Sequence, residues 1–323
     1  MLKVIEKNLD PDDYGNYMNQ SIDLVDIKKA FKHASVRFFS EKIPLWRELQ
    51  LPLLKSGVSQ RSINDGGVLV KDANITSAML GEAVEYFCRS FYNFYAQDKL
   101  IEHYYATWSG VTNYYSSFFS LHSLLRLQGR AITSIWRNGK RFYIFPSNIL
   151  ENQYIICKEG VKGKTAHEAA WFLFYEVYDT FSYSPNVHFE AIFKKKNTGT
   201  IEEEIDFRTQ KNYEPYEAYE EIRDLQTLQD MLDNYENKRF TSHDIEVLSG
   251  LATDPYYRYY ARSVMRIVFA CTLLEEIAEN NGDLKTLLSE RRIRLSEFLK
   301  KTNLRKNKDM ICCRLRELLN LEA

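Results

Sequence analysis

The chain has 323 residues, of which 45% are hydrophobic, 27% charged and 14% aromatic, a composition that can bury a large core and excludes disorder as the main state. With 43 Lys/Arg against 44 Asp/Glu the net charge is −1, which excludes a uniformly basic nucleic-acid coat but allows opposed patches. Five cysteines, Cys88, Cys157, Cys271, Cys312 and Cys313, are odd in number and lack metal-ligand spacing, so reduced thiols are expected, with no metal and no other cofactor. The opening stretch MLKVIEKNLDPDDYG lacks the apolar core of roughly 7–15 residues that a secretory signal needs. No run of about 18 apolar residues occurs after it, so a cytoplasmic chain without a membrane partner is expected.

Residues 1–73 read as a mixed arm packed on a helical bundle. Asp23 to Ser40 suits a helix with Asp23 as N-cap and Ile27, Ala30, Phe31, Ala34 and Phe38 on one face. Pro44 and Pro52 punctuate an apolar segment, and Asp65-Gly66-Gly67 turns the chain into a strand-like Val68-Leu69-Val70. In the next unit Leu80, Val84, Phe87, Phe91 and Phe94 recur at alternating steps of four and three, the pattern of an amphipathic helix over 75–97. Only Asp98 and Lys99 then precede Leu100–Gly129, which reads as one long helix antiparallel to the first. Tyr104, Trp108, Val111, Tyr115, Phe118, His122 and Leu125 make its inward stripe, and Tyr105, Tyr114, Phe119, Leu121 and Leu124 a second apolar face. Gly129 supplies a left-handed close.

Asn138-Gly139 between two strand-like runs predicts a β-hairpin with a type I′ turn, and Gln153–Cys157 adds a strand to it. Thr165 and Glu168 have the spacing of a capping box ahead of the helix AAWFLFYEVYDTF. VHFEAIFKKKNTG reads as a strand entering a basic turn. The acid-rich Ile201–Asp206 leads into FRTQKNYEPYEAYEEI, where Pro215 suits the first turn of a helix. Asp254-Pro255 opens another helix with Tyr257, Ala261, Val264, Val268, Cys271 and Leu274 inward, closed by Asn280-Asn281-Gly282. Basic helices between Leu284 and Leu321 complete the chain.

Charge is strongly polarised. Residues 202–236 carry twelve acids against three bases, and residues 291–316 ten bases against two acids. Arg291, Arg292, Arg294, Lys300, Lys301, Arg305, Lys306 and Lys308 could follow a phosphate backbone in a salt-sensitive, sequence-independent way, or meet the acidic tract within one chain or between two. The phosphate-loop, dinucleotide, HExxH, paired CxxC and GxSxG signatures are all absent. Glu190 and Lys194 have a nuclease-like spacing, but no acid pair on a second strand supports it. Among the histidines, His122 reads as a neutral core residue, His167 as part of the capping sequence, and His103 as the accessible candidate for acid–base chemistry.

The order of helix 75–97, YYATWSGVTNYYSSFFSLHSLLRLQG, a further helix and an arginine-led FRTQKNYEPYEAYEEI resembles the HEPN superfamily over about residues 75–235. That resemblance implies a mainly α fold, a HEPN-like antiparallel helical bundle over 74–240 with a β-hairpin insertion at about 131–157. The mixed arm 1–73 precedes the bundle, and a helical, basic C-terminal extension, 241–323, completes it. The resemblance further implies a polar site at Arg208, Asn212 and Tyr213, a homodimer, and RNA as the ligand of a toxin or antiviral-defence component, with a nucleotidyltransferase or ATPase as a possible protein partner. Many members are metal-independent ribonucleases that pair an arginine with a histidine a few residues later. Here Tyr213 stands in that place, and no histidine occurs between His188 and His243.

Apart from Lys211, RTQKNYEP is similar to the R-x-x-[AN]-[DN]-Y-[DE]-P variant of members that bind or regulate. Arg208 can clamp a phosphate and Asn212 can hydrogen-bond it, whereas a tyrosine with a pKa near about 10 is a poor base at neutral pH. The residues also permit a plainer arrangement, with Arg208 paired to Glu203, Glu204 or Asp206 and Tyr213 packed at a helix start. Two functions are therefore expected in competition: RNA binding with or without cleavage, and a non-catalytic interaction or regulatory subunit that docks an enzymatic partner.

Overall fold

A computed structural model of the chain describes residues 2–10, 17–35, 45–60, 63, 66–102, 105–135, 141–158, 165–181, 192, 203–204 and 258–301. In order these form strand β1 (Lys3–Leu9), helices α1 (Leu24–Phe31) and α2 (Leu45–Lys55), strand β2 (Gly67–Lys71), and helices α3 (Ala73–Glu102) and α4 (Ala106–Leu127). Strands β3 (Ala131–Thr133), β4 (Phe142–Asn148) and β5 (Gln153–Cys157) come next, then helices α5 (Ala166–Asp179), α6 (Arg258–Ala278) and α7 (Gly282–Lys301). The fold is mainly helical with one small antiparallel sheet. Among the described residues no helix is long and apolar enough to cross a membrane.

The α3–α4 pair is the centre of the molecule, and buried serines set its spacing. Ser109 Oγ donates to Gln97 O at 3.2 Å, Ser116 Oγ to Ser90 O at 2.9 Å, and Ser123 Oγ to Ala83 O at 2.8 Å, while Ser90 Oγ returns a bond to Ser116 O at 2.7 Å. A hydroxyl two bonds from its own backbone can reach the facing helix's carbonyl only where the two backbones approach closely. All three contacts obey one antiparallel register with heptad spacing, so a single helix face repeats the same close approach three times. Replacing Ser116 by leucine should therefore overpack the interface and lower stability by about 3 kcal/mol, against about 1 kcal/mol for alanine, which only loses a hydrogen bond. Thermal denaturation of both variants checks this; equal tolerance of the two would contradict the close approach.

That register is centred on residue 103, between the end of the first helix and the start of the second. The first helix runs on through Asp98 and Lys99 to Glu102, and the second begins at Ala106, five to six residues later than the spacing of apolar residues suggests. The inward stripe is corrected as well. Val111, Phe118, His122 and Leu125 are buried, but Trp108 is 54% exposed and Tyr115 half-buried. Serines, being small, take the inward positions that the large rings were expected to hold. Leu80, Val84, Phe87, Phe91 and Phe94 on α3 are buried as the periodicity predicts. Gly129 adopts φ +65°, and Arg130 N bonds Leu125 O while Gly129 N bonds Arg126 O, the paired contacts that close a helix through a left-handed residue.

The sheet has the order β1-β2-β5-β4-β3, antiparallel throughout. Its hairpin strands β3 and β4 pair as expected, β5 joins them, and the Asn138-Gly139 turn lies outside the described residues. Alternation sorts the side chains: Val68, Val70, Phe142, Ile144, Tyr154 and Ile156 enter the main core, and Tyr143, Phe145, Ile155 and Cys157 a smaller cluster with Met18 and Ala169. With both faces covered, β4 and β5 read as continuous apolar runs rather than alternating ones.

The arm differs in detail from its expected form. Helix α1 ends at Phe31, short of Ser40, and α2 continues through Pro52. Strand β1 has no apolar alternation and is mostly exposed; backbone pairing to β2 holds it.

Candidate functional site

Arg208, Asn212 and Tyr213, with His103, Arg305, Lys306 and Lys308, lie outside the described residues. The dipeptide Glu203-Glu204, a few residues before Arg208, is described, and it enters an unusual place. Helix α6 carries Arg258, Arg262 and Arg266 at steps of four, which stacks them along one face. Glu203 accepts from Arg258 Nη1 at 3.0 Å and from Arg262 Nη1 at 3.2 Å. Glu204 lies 2.8 Å from Arg266 Nη1 and 3.8 Å from Arg262 Nη1.

Two other helices, α4 and α5, wall this centre. Arg266 Nη2 donates to the Tyr175 hydroxyl of α5 at 2.9 Å, and Nη1 donates to Ser117 Oγ of α4. The guanidinium lies 4.7 Å from the centre of the Trp171 ring and 5.7 Å from that of Phe174. Arg262, Arg266 and Glu204 are all buried. Burial works against the charge on Arg262, but Glu204, Tyr175 and Glu203 outweigh it and hold its pKa above the ordinary value. Burial pushes the Tyr175 phenol up, so it remains a hydroxyl. The arrangement holds two carboxylates among three guanidinium groups. Glu203 and Glu204 are thus engaged by α6, and Arg208 follows Glu204 by four positions, at most about 14 Å of extended chain.

His122 and His167 are committed to packing. His122 stacks on Tyr86 at 5.0 Å and meets Phe118 edge-on at 4.5 Å, and Phe118 stacks on His167 at 4.3 Å. His167 Nδ1 pairs with the Tyr114 hydroxyl at 2.9 Å, at the start of a helix capped by the reciprocal Thr165–Glu168 bonds. Burial, then the charges of Arg126 and His167, hold His122 well below the usual imidazole pKa. It is neutral in the folded protein, while the unfolded chain takes up a proton below a pH of about 6.5. Stability present above that pH is therefore lost as pH falls through it. Compared with a His122→Phe variant, the wild type should lose stability more steeply between pH 7 and 5, by up to about 1.4 kcal/mol per unit. Equal slopes in urea denaturation would assign the effect elsewhere.

The basic helix α7 is less open than its composition suggests. Arg291 Nη2 donates to Glu85 of α3 at 2.5 Å and Arg292 Nη2 donates to Glu275 of α6. Arg294 is exposed, and Lys300 and Lys301 end the helix. Among the described residues no group of three His, Cys, Asp or Glu could hold a metal. Cys88 and Cys271 are free thiols that burial pushes up to about 12, far from reactive thiolates.

The α6 arginines are hidden in the sequence because Ala261, Val264, Val268, Cys271 and Leu274 already form a sufficient inner face, and all five are buried. RYYARSVMR, with arginines at steps of four inside an otherwise apolar helix, is the signal that marks them. No family model, curated protein or solved structure matches the chain.

Proposed function

We propose that this chain is a HEPN-like component of a toxin or antiviral-defence system that binds RNA, as a homodimer, through Arg208, Asn212 and Tyr213. The observation that carries the reading is the α3–α4 pair. A long antiparallel hairpin has the tyrosine-rich sequence on its second helix, and α5 packs on that helix, in the order of the first three helices of the resemblance; the arginine-led segment and the helix it enters lie outside the described residues. Glu204 lends further support, because it is tied through Arg266 to Ser117 of α4 only four residues before Arg208. Arg208 would clamp a phosphate through its planar fork and Asn212 would add a neutral hydrogen bond. Cleavage would need a base other than Tyr213, His122 or His167, so binding is the activity proposed first.

Total RNA incubated with wild type and Arg208→Ala is the test. Wild type should retain RNA on a filter, with affinity about tenfold weaker in the variant, the effect of about 1.4 kcal/mol at a charge-assisted contact. Cleavage by wild type alone would extend the reading to a ribonuclease. No retention of RNA under any salt condition sinks it.

A second reading, a non-catalytic subunit that docks an enzymatic partner, is favoured by α7. With Arg291 and Arg292 engaged by Glu85 and Glu275, its exposed side carries Asp283, Lys285, Glu290, Arg294 and Glu297, a mixed-sign surface around exposed Ile293. Such a surface suits a protein better than a phosphate backbone.

A further inference from the structure

We propose that Arg258, Arg262 and Arg266 form a binding site for a phosphate-type oxyanion, filled in this structure by the carboxylates of Glu203 and Glu204 acting as an internal substitute. Buried ion clusters contribute little stability over well-packed apolar residues, and their best-attested use is to select among states. An apolar solution was at hand, since Val264, Ile267 and Val268 fill the rest of this helix core. The donors also outnumber what the two carboxylates can take. Among the described residues, the Nε of Arg266, which is 0% exposed, has no hydrogen-bond partner, and neither do Arg258 Nε and the buried Ser263 Oγ.

The fit of the substitute is itself imperfect. Glu204 Oε1 lies at ion-pair distance from Arg266 but, among the described residues, accepts no aligned hydrogen bond. A tetrahedral oxyanion presents more acceptor oxygens than a planar carboxylate and can bond several guanidinium edges at once. Hydroxyls at Ser117 and Tyr175 border the same point from α4 and α5. The ladder also offers a way in, because side-chain exposure falls from 28% at Arg258 to 4% at Arg262 and 0% at Arg266. The ligand class is a phosphate, either free or as a monoester. Its binding would release Glu203 and Glu204 from the three arginines.

The test uses the full chain carrying Glu203→Gln and Glu204→Gln, which keep the shape and remove the charge. This variant should melt below wild type and regain several degrees in millimolar inorganic phosphate, but not in chloride of equal ionic strength. Adding Arg266→Met should abolish the regain. Adenosine monophosphate as a parallel probe separates the sources: a larger rise than with inorganic phosphate assigns the site to phosphate monoesters, and a smaller one to the free ion. If the double variant does not fold, Glu203→Gln alone, at a half-buried position, is titrated in the same way. No phosphate-dependent rise, or a rise that survives Arg266→Met, overturns the proposal.

Discussion

Alanine at Arg130 is expected to lower stability by about 4 kcal/mol, among the largest effects of any single truncation in this protein. The side chain is 1% exposed and its guanidinium is bonded to backbone carbonyls. Nε donates to Met18 O at 3.1 Å, Nη1 to Gln128 O at 2.8 Å, and Nη2 to Tyr17 O at 3.0 Å and to Gln20 O. One planar fork thus stitches the segment before α1 to the end of α4, and Gln128 reinforces it by bonding both N and O of Ile22. Burial lowers the Arg130 pKa to about 9, so the group is still charged at neutral pH. Bonds from a charged donor are worth about 1.5–3 kcal/mol each and do not add fully. Lysine should recover little, since a point charge cannot reproduce the fork. Urea denaturation gives the magnitude, and a loss below about 1 kcal/mol would show that those carbonyls find other donors.

Arg266→Ala should lower stability by about 3–5 kcal/mol, because it leaves Glu204 buried beside vacated space without its nearest cation. The informative companion is Arg266→Met with Glu204→Leu. Replacing both charges by apolar groups of similar size should restore most of the loss. Denaturation of the two singles and the double closes a cycle, and a coupling energy near zero would mean that the two charges do not act on one another.

Helix positions are legible in the sequence wherever apolar residues repeat at steps of three and four. Thus α3 and α6 follow their predicted faces, α5 forms where its apolar run predicts a helix, and Thr165–Glu168 forms the capping box its spacing announces. The turn between α3 and α4 is not legible, because LIEHYYATW contains neither Gly nor Pro; the serine register, a tertiary property, places the break. Trp108 reads as inward only if ring size is equated with burial, whereas close helix approach selects the smallest residue. Strand β1 escapes notice because an exposed edge strand needs no alternation. Of the polar site, Arg208, Asn212 and Tyr213 are singled out by motif alone, and they lie outside the described residues. The α6 arginines show the opposite failure. Their partners are 55 to 62 residues away in sequence, a separation that no local pattern encodes.

The order of the sheet bears on where this protein could be cut. Strand β2, from the N-terminal arm, lies between β1 and β5, and Lys71 pairs with both Lys3 and Gln153. A fragment beginning after β2 would keep helices α3 to α7 but strip the Gln153–Cys157 strand of a neighbour, exposing an unpaired row of amides and carbonyls on an apolar strand. Such an edge templates pairing with another chain. The arm is therefore also the cover that keeps the central hairpin sheet from self-association.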